Sequence, residues 1–270
     1  MNPSEFHIMN SSAILEICKE HTETLYKKSK TKSLSVTVSI DLFFGFLIDF
    51  WFPFLVPKNG PILKPPTLEI IVNQLELDAI DIEDSINTIS SSIGVPLMMT
   101  CRPQRQGGHF PGSEEDRLSV LEAAIASKPS WIDLEVDIES SKRKDLVELA
   151  GKGTRVIASL HSLDAVPSSS EITQDVMDAQ SLGDSVKACY STKDRKDALR
   201  IFESALQLKS SDVSYSLMGL GPGGDWSRIH APALGQELVF ATTESGWHLA
   251  QKGKINASDL RTAWEVLEYS

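Results

Sequence analysis

The sequence predicts an α/β protein, a single-domain (β/α)8 TIM barrel whose first β/α unit is irregular. Three observations predict this. From about residue 67 onward, short apolar runs alternate with helical stretches at a spacing of roughly 20 to 30 residues, the rhythm of parallel β/α units. A chain of 270 residues with 41% hydrophobic content can bury one large core, and one such barrel commonly takes about 250 residues. One strand, Trp131-Ile-Asp-Leu-Glu-Val-Asp137, alternates strictly between apolar and acidic side chains, which suits a barrel wall with a polar interior.

The first 66 residues form an atypical N-terminal segment. They offer one helix candidate from Ser12 to Lys28, one strand candidate from Leu34 to Ile40, and then an aromatic block. That block holds Phe43, Phe44, Phe46, Phe50, Phe52 and Phe54 together with Trp51. A buried strand pair, a self-association surface and a segment foreign to the rest of the fold all fit it. Pro57, Pro61, Pro65 and Pro66 then mark a boundary, and residues 67–270 are expected to form the barrel.

Within 67–270, Val95 to Cys101 reads as a strand, followed by a polar loop. A helix should begin at Ser113, where a capping hydroxyl precedes Glu114, Glu115 and Asp116. After the Trp131–Asp137 strand comes a helix from Arg143 to Ala150, stopped by Gly151. Arg155 to Leu160 returns as strand, and Glu171 to Leu182 as helix. Next are a strand from Ser185 to Cys189 and a helix from Asp194 to Leu208. The chain ends with a strand from Val213 to Met218, a Gly-rich loop, a strand from Leu238 to Thr242 and a helix from Ser258.

Closure of the sheet rests on Trp131–Asp137. Ile132, Leu134 and Val136 point one way, Asp133, Glu135 and Asp137 the other. A strand covered by helices on both faces is apolar on both. Inward carboxylates meeting inward cations inside a barrel satisfy the acidic face; an edge strand with one wetted face is the alternative.

Charge and cysteine usage narrow the function classes. With 26 Lys+Arg against 37 Asp+Glu, the net charge of -11 repels phosphate backbones, so no nucleic-acid partner is expected. Cys18, Cys101 and Cys189 are widely spaced and lack a CxxC pair, so neither a disulfide framework nor a metal site is expected, and a reducing cytoplasm is the simplest setting. The first residues are polar, so no signal peptide is expected. Asp41, Asp49 and Pro53 interrupt the aromatic block. An Asp at the centre of a spanning helix costs roughly 2.5 to 3.5 kcal/mol, which disfavours a membrane anchor.

Two strand ends carry isolated reactive groups. His161 follows the apolar run Val156–Leu160, and Lys187 lies inside the run Ser185–Cys189. A lysine there either snorkels to water or sits in an enclosed site, where lost hydration lowers its pKa and frees an amine able to attack a carbonyl. The blander readings are an edge-exposed lysine and a hydrogen-bonded structural histidine. Gly219-Leu-Gly-Pro-Gly-Gly224 fits GxGxxG, but Pro222 within it and the lack of a following ribose-binding acid favour an anion-facing loop ending at Ser227-Arg228 over a dinucleotide fold.

In order along the chain, five motifs resemble the strand ends of type I 3-dehydroquinate dehydratase. They are Thr100-Cys-Arg-Pro-Gln-Arg-Gln-Gly-Gly108, Ile132 to Asp137, Val156 to His161, Val186-Lys187-Ala, and Met218-Gly219 through Ser227-Arg228. The resemblance covers about residues 74–270. It implies a hydro-lyase of the shikimate pathway that acts on the small molecule 3-dehydroquinate and needs no metal or organic cofactor. It also implies that Lys187 forms an imine with the substrate ketone, that His161 moves the protons, and that Arg102 and Arg228 bind substrate. By spacing, Gln251 in Trp247-His-Leu-Ala-Gln251 corresponds to the substrate-binding glutamine of the family's closing loop. Family members often pair, so the resemblance also implies a homodimer.

The chain departs from the family in places. Trp247 stands where the closing loop has serine, and the loop's Pro-Gly is absent. The family's early Glu-x-Arg-x-Asp strand finds its local counterpart in Gln74-Leu-Glu-Leu-Asp78, with Glu76 in place of arginine. These departures keep two alternatives open: a catalytically impaired or regulatory relative that binds ligand, and another imine-forming barrel lyase or aldolase.

Overall fold

The computed structural model describes residues 51–55, 68–71, 83, 86–87, 96–242 and 246–269. The expected helix Ser12–Lys28, the strand Leu34–Ile40, most of the aromatic block and the stretch Gln74–Asp78 lie outside these residues.

Among the described residues, eight strands form one sheet. They are β1 (Trp51–Leu55), β2 (Leu68–Ile71), β3 (Leu97–Thr100), β4 (Trp131–Glu135), β5 (Arg155–Ser162), β6 (Ser185–Ser191), β7 (Tyr215–Leu220) and β8 (Leu238–Thr242). From β2 to β7 each strand pairs parallel with the next. β1 sits between β2 and β8 and runs antiparallel to both. The end of the aromatic block is therefore a strand of the wall, although the sequence placed the start of the barrel at residue 67. The remaining seam, between β7 and β8, is closed by Glu237 N donating to Tyr215 O at 2.9 Å and Ser216 Oγ donating to Leu238 O at 2.6 Å.

The helices are α1 (Glu114–Ala126), α2 (Ser140–Ala150), α3 (Ser169–Ala179), α4 (Arg195–Leu208), α5 (Gly224–Ile229), α6 (Ala231–Leu234) and α7 (Ala257–Val266). Ser113 caps α1 in a reciprocal box with Asp116, and Ser168 caps α3 the same way with Glu171. α2 begins before the expected Arg143, because Glu139 accepts from the backbone N–H of Ser141 and Lys142 and so supplies an acidic N-cap. β7 starts later than the expected Val213; pairing Val186 with Tyr215 sets its entry. No helix among the described residues is long and apolar enough to cross a membrane.

Period-two alternation sorts the strands into an outer and an inner set. Outward, Leu97, Met99, Ile132 and Leu134 pack under Leu121, Ile125 and Leu146 of α1 and α2. Val186, Ala188 and Leu217 meet Ile172, Val176, Ile201 and Ala205 of α3 and α4. Inward, Met98, Trp131, Ile157, Met218, Leu238 and Phe240 make an apolar plug. Such layers make a barrel interior a packed core rather than a pore. Toward the C-terminal ends of the strands the inner set turns polar: Asp133, Glu135, Ser159 and Lys187 are all buried there.

Candidate active site

Lys187 is buried inside the ring, its side chain 8% exposed. Its Nζ lies 3.2 Å from Asp133 Oδ2 on β4 and 3.5 Å from Glu69 Oε1 on β2, and 4.1 Å from the centre of the Phe240 ring. A cation over an aromatic face is attracted to it. Burial alone would lower the pKa of this lysine, as the sequence reading expected. Glu69 and Asp133 outweigh burial, so the ammonium is held above its usual range. The resting form is a charge-paired ammonium, not a free amine.

Asp133 is the hub of a wider network. Arg102, just past the end of β3, donates to Asp133 Oδ2 at 2.6 Å, to Glu135 Oε1 at 2.7 Å and to Ser159 Oγ at 2.7 Å. Ser159 in turn donates to Asp133. Behind Glu135, Arg117 of α1 donates to Glu135 Oε2 at 2.7 Å and to Cys101 O at 2.8 Å. Carboxylates and cations thus alternate from α1 to Lys187. Buried charges are tolerated only when paired and hydrogen-bonded in this way. Asp133 and Glu135 make the inward meeting of carboxylates and cations expected from the acidic face of Trp131–Asp137, but Asp137 lies past the end of β4, exposed and paired with Arg105.

His161 lies within β5 rather than just beyond it, paired opposite Cys189, and is only partly buried. Its Nδ1 is 3.1 Å from Gln106 Oε1. Burial, then the nearby Arg102 and Lys187 charges, hold the imidazole well below its ordinary pKa against the opposing pull of Asp133. It is neutral near pH 7.

Arg228 enters from α5 and is 2% exposed. Its Nε donates to Phe240 O at 2.9 Å, and its Nη1 to Gly224 O at 2.7 Å and Gly219 O at 3.1 Å. Burial lowers its pKa to about 10, so the guanidinium stays charged near neutral pH. The Gly-rich loop permits this placement: Gly221 has φ 127, and a Cβ on Gly224 would lie 2.1 Å from Gly219 O.

A cavity of about 210 Å³ opens at this end of the ring, lined by Glu69, Arg102, His161, Lys187, Arg228 and Phe240 among others. The structure therefore brings together Lys187, His161, Arg102 and Arg228. It does not bring in Gln251, which is exposed on the turn Trp247–Lys252 and does not line the cavity. Trp247 on the same turn is 80% exposed.

A family model described as type I 3-dehydroquinase matches residues 63–270. The chain belongs to this family. Among type I 3-dehydroquinase relatives, 3-dehydroquinate dehydratase of Methanothermobacter thermautotrophicus is 30% identical over 164 residues, covering 61% of this chain and 71% of that protein. The enzyme of the same name from Desulfotalea psychrophila is 28% identical over 192 residues, covering 70% and 84%. In the solved structures, type I 3-dehydroquinate dehydratase from Clostridium difficile superposes with a TM-score of 0.65 at 22% identity, covering 70% of this chain and 76% of that one. A Geobacillus kaustophilus 3-dehydroquinate dehydratase gives 0.64 at 21%, covering 71% and 75%. These likenesses carry the barrel fold of the type I 3-dehydroquinase family.

Two groups at the site escaped the sequence reading. Glu69 lies on β2, whereas the early strand was expected at Gln74–Asp78; the in-register pairing of Leu68 to Ile71 with Leu97 to Thr100 places it beside Lys187. Thr100 Oγ1 donates to Glu69 Oε1 at 2.7 Å and holds it there. Gln106 lay inside a quoted motif but received no role, since a neutral amide in a loop carries no local sign of its partner.

Proposed function

We propose that this chain is a 3-dehydroquinate dehydratase, converting 3-dehydroquinate to 3-dehydroshikimate and water through an imine on Lys187. The observation that carries this reading is the placement of a buried lysine, a neutral imidazole and two arginines around one cavity at the C-terminal mouth of the barrel, the end where barrels of this kind carry their active sites.

Before attack the ammonium of Lys187 must shed a proton, and neutral His161 on the same cavity is the acceptor at hand. The freed amine adds to the ketone, His161 returns its proton to the departing oxygen, water leaves, and an iminium forms beside a neutral imidazole. This cation withdraws electrons from the neighbouring carbon, whose proton passes to His161. The resulting enamine expels the hydroxyl group, protonated by His161 as water. Hydrolysis of the remaining iminium releases product and returns the Lys187 ammonium.

Asp133 and Glu69 stabilise positive charge on the nitrogen throughout, since each lies within 3.5 Å of Nζ. Arg228 is assigned the substrate carboxylate, because its charged guanidinium lines the cavity and its planar fork suits a carboxylate. Arg102, already shared between two carboxylates and Ser159, is assigned to hydroxyl groups of the substrate and to the alignment of Asp133. Gln251 takes no part in this reading.

The reading also carries the cytoplasmic setting and the homodimer expected from the sequence; sedimentation of the purified chain at single-chain mass would overturn the latter. Activity itself is tested by adding 3-dehydroquinate and following the enone absorbance of the product. Wild type should produce it and Lys187→Met should not. If wild type forms a borohydride-reducible adduct but no enone, the chain is a ligand-binding relative instead, an alternative that the outward Gln251 and Trp247 favour.

A further inference from the structure

The floor of the cavity holds a nucleophile that the proposed dehydration does not use. Cys189, Met218 and Phe240 belong to the inner apolar layer and also line the cavity. Cys189 is a free thiol on β6, 2% exposed. Period-two alternation puts it on the same inward face as Lys187, two residues and about 6.6 Å further along the strand. The register of β5 and β6 pairs it with His161, as it pairs Lys187 with Ser159, and neighbouring strands lie about 4.8 Å apart. Thiol, imidazole and amine therefore line one cavity, together with the Arg228 guanidinium.

We propose that Cys189 is a covalent attachment site for carboxylated cyclic enones, adding through sulfur to the carbon–carbon double bond of such a molecule while Lys187 holds its carbonyl. The ligand class follows from the groups around the sulfur. Arg228 suits a carboxylate. Lys187 turns a conjugated ketone into an iminium, which leaves the far carbon of the double bond electron-poor, and a cysteine sulfur is intrinsically a strong nucleophile. The inference rests on the imine reading above, whose own product is an enone of this kind.

The atoms balance without an outside reagent. His161, neutral at rest, takes the thiol proton. The sulfur pair forms an S–C bond to the far alkene carbon, the π pair of the double bond shifts toward the iminium carbon, and the C=N pair moves onto nitrogen, giving an enamine. The imidazolium then protonates the carbon next to the old carbonyl carbon, which restores the iminium, and water hydrolyses it to a ketone and the Lys187 ammonium. One thiol and one enone have become one thioether, with no oxidant or reductant. Burial holds the Cys189 thiol above its ordinary pKa, against the opposite pull of the Lys187 and Arg228 charges, so addition is slow beside turnover. Cys101 packs in the outer core with Leu121 and Ile125 and does not line the cavity, so it should stay unmodified.

The test is to incubate the full-length protein with 3-dehydroshikimate for hours without borohydride, unfold it in acid and digest it. An imine is lost under this treatment and a thioether is kept. Wild type should gain the mass of one enone, mapped by fragmentation to Cys189. Cys189→Ser keeps the side-chain shape with a poorer nucleophile; it should show no gain and should retain its initial rate of dehydration. Lys187→Met cannot activate the enone and should acquire the adduct at least about 10-fold more slowly. No stable adduct on wild type, an adduct spread equally over Cys18, Cys101 and Cys189, or one that forms undiminished in Lys187→Met overturns the proposal, and the wild-type mapping decides this whether or not a variant folds. Brief borohydride trapping with 3-dehydroquinate tests the imine separately. An imine on Lys187 without the thioether sinks this inference alone, whereas a thioether on Cys189 without dehydration of 3-dehydroquinate defeats the dehydratase reading and leaves the attachment site standing.

Discussion

Lys187 Nζ donates to Asp133 Oδ2 at 3.2 Å, with the carboxylate fully buried and the lysine nearly so. This pair makes the site both a structural joint between β4 and β6 and a store of one exchangeable proton. Asp133 also serves Arg102 at 2.6 Å, so removing its charge would leave two buried cations without their best partner. Asp133→Asn should therefore cost about 3–5 kcal/mol of stability, the scale for breaking a buried ion pair. Urea unfolding measures this; a loss near zero would mean that the network carries no net stability.

The same carboxylate predicts a stability profile in acid. Burial alone would raise its pKa, but the Arg102 charge, then that of Lys187, hold it well below the usual carboxylate range. A depressed folded pKa stabilises fully above the unfolded value of about 3.9, and that contribution is lost as pH falls from there through the folded value. Wild type should lose stability over this window, and Asp133→Asn should show a shallower loss.

The neutral state of His161 predicts where activity begins. Burial and two cations keep its pKa well below 6.5, so the base form persists on the acid side of neutrality. The acid limb of kcat should fall below pH 6.5. A limb centred above that value would place a different group, or a differently charged pocket, in control.

Arg228 and Gln251 should separate cleanly. Arg228 lines the cavity and is locked by three backbone carbonyls; a lysine cannot reproduce that fork. Arg228→Lys should raise KM by roughly 10- to 100-fold, since a hydrogen bond to a charged group is worth about 1.5–3 kcal/mol. Gln251→Ala, on the exposed turn, should leave KM within about twofold. A large effect at Gln251 would show that the turn reaches the substrate.

Much of this arrangement was legible in the residues themselves. Strand alternation placed Asp133 and Glu135 on one face, and that face does meet Arg102 and Lys187 inside the ring. The Ser113 cap and the β8 range were readable because both are set by local chemistry. The protonation of Lys187 was not: a lysine in an apolar run reads as desolvated, and only the folded ring brings Glu69 and Asp133 to it from distant strands. Nor was the antiparallel β1, because direction within a sheet is a property of pairing rather than of any one segment.

The most direct test is to reduce a mixture of the intact protein and 3-dehydroquinate with borohydride, digest it, and locate the added mass. The account predicts one substrate-derived adduct, on the peptide containing Lys187, abolished in Lys187→Met. An adduct on another lysine, or none at saturating substrate while the enone still appears, would contradict it.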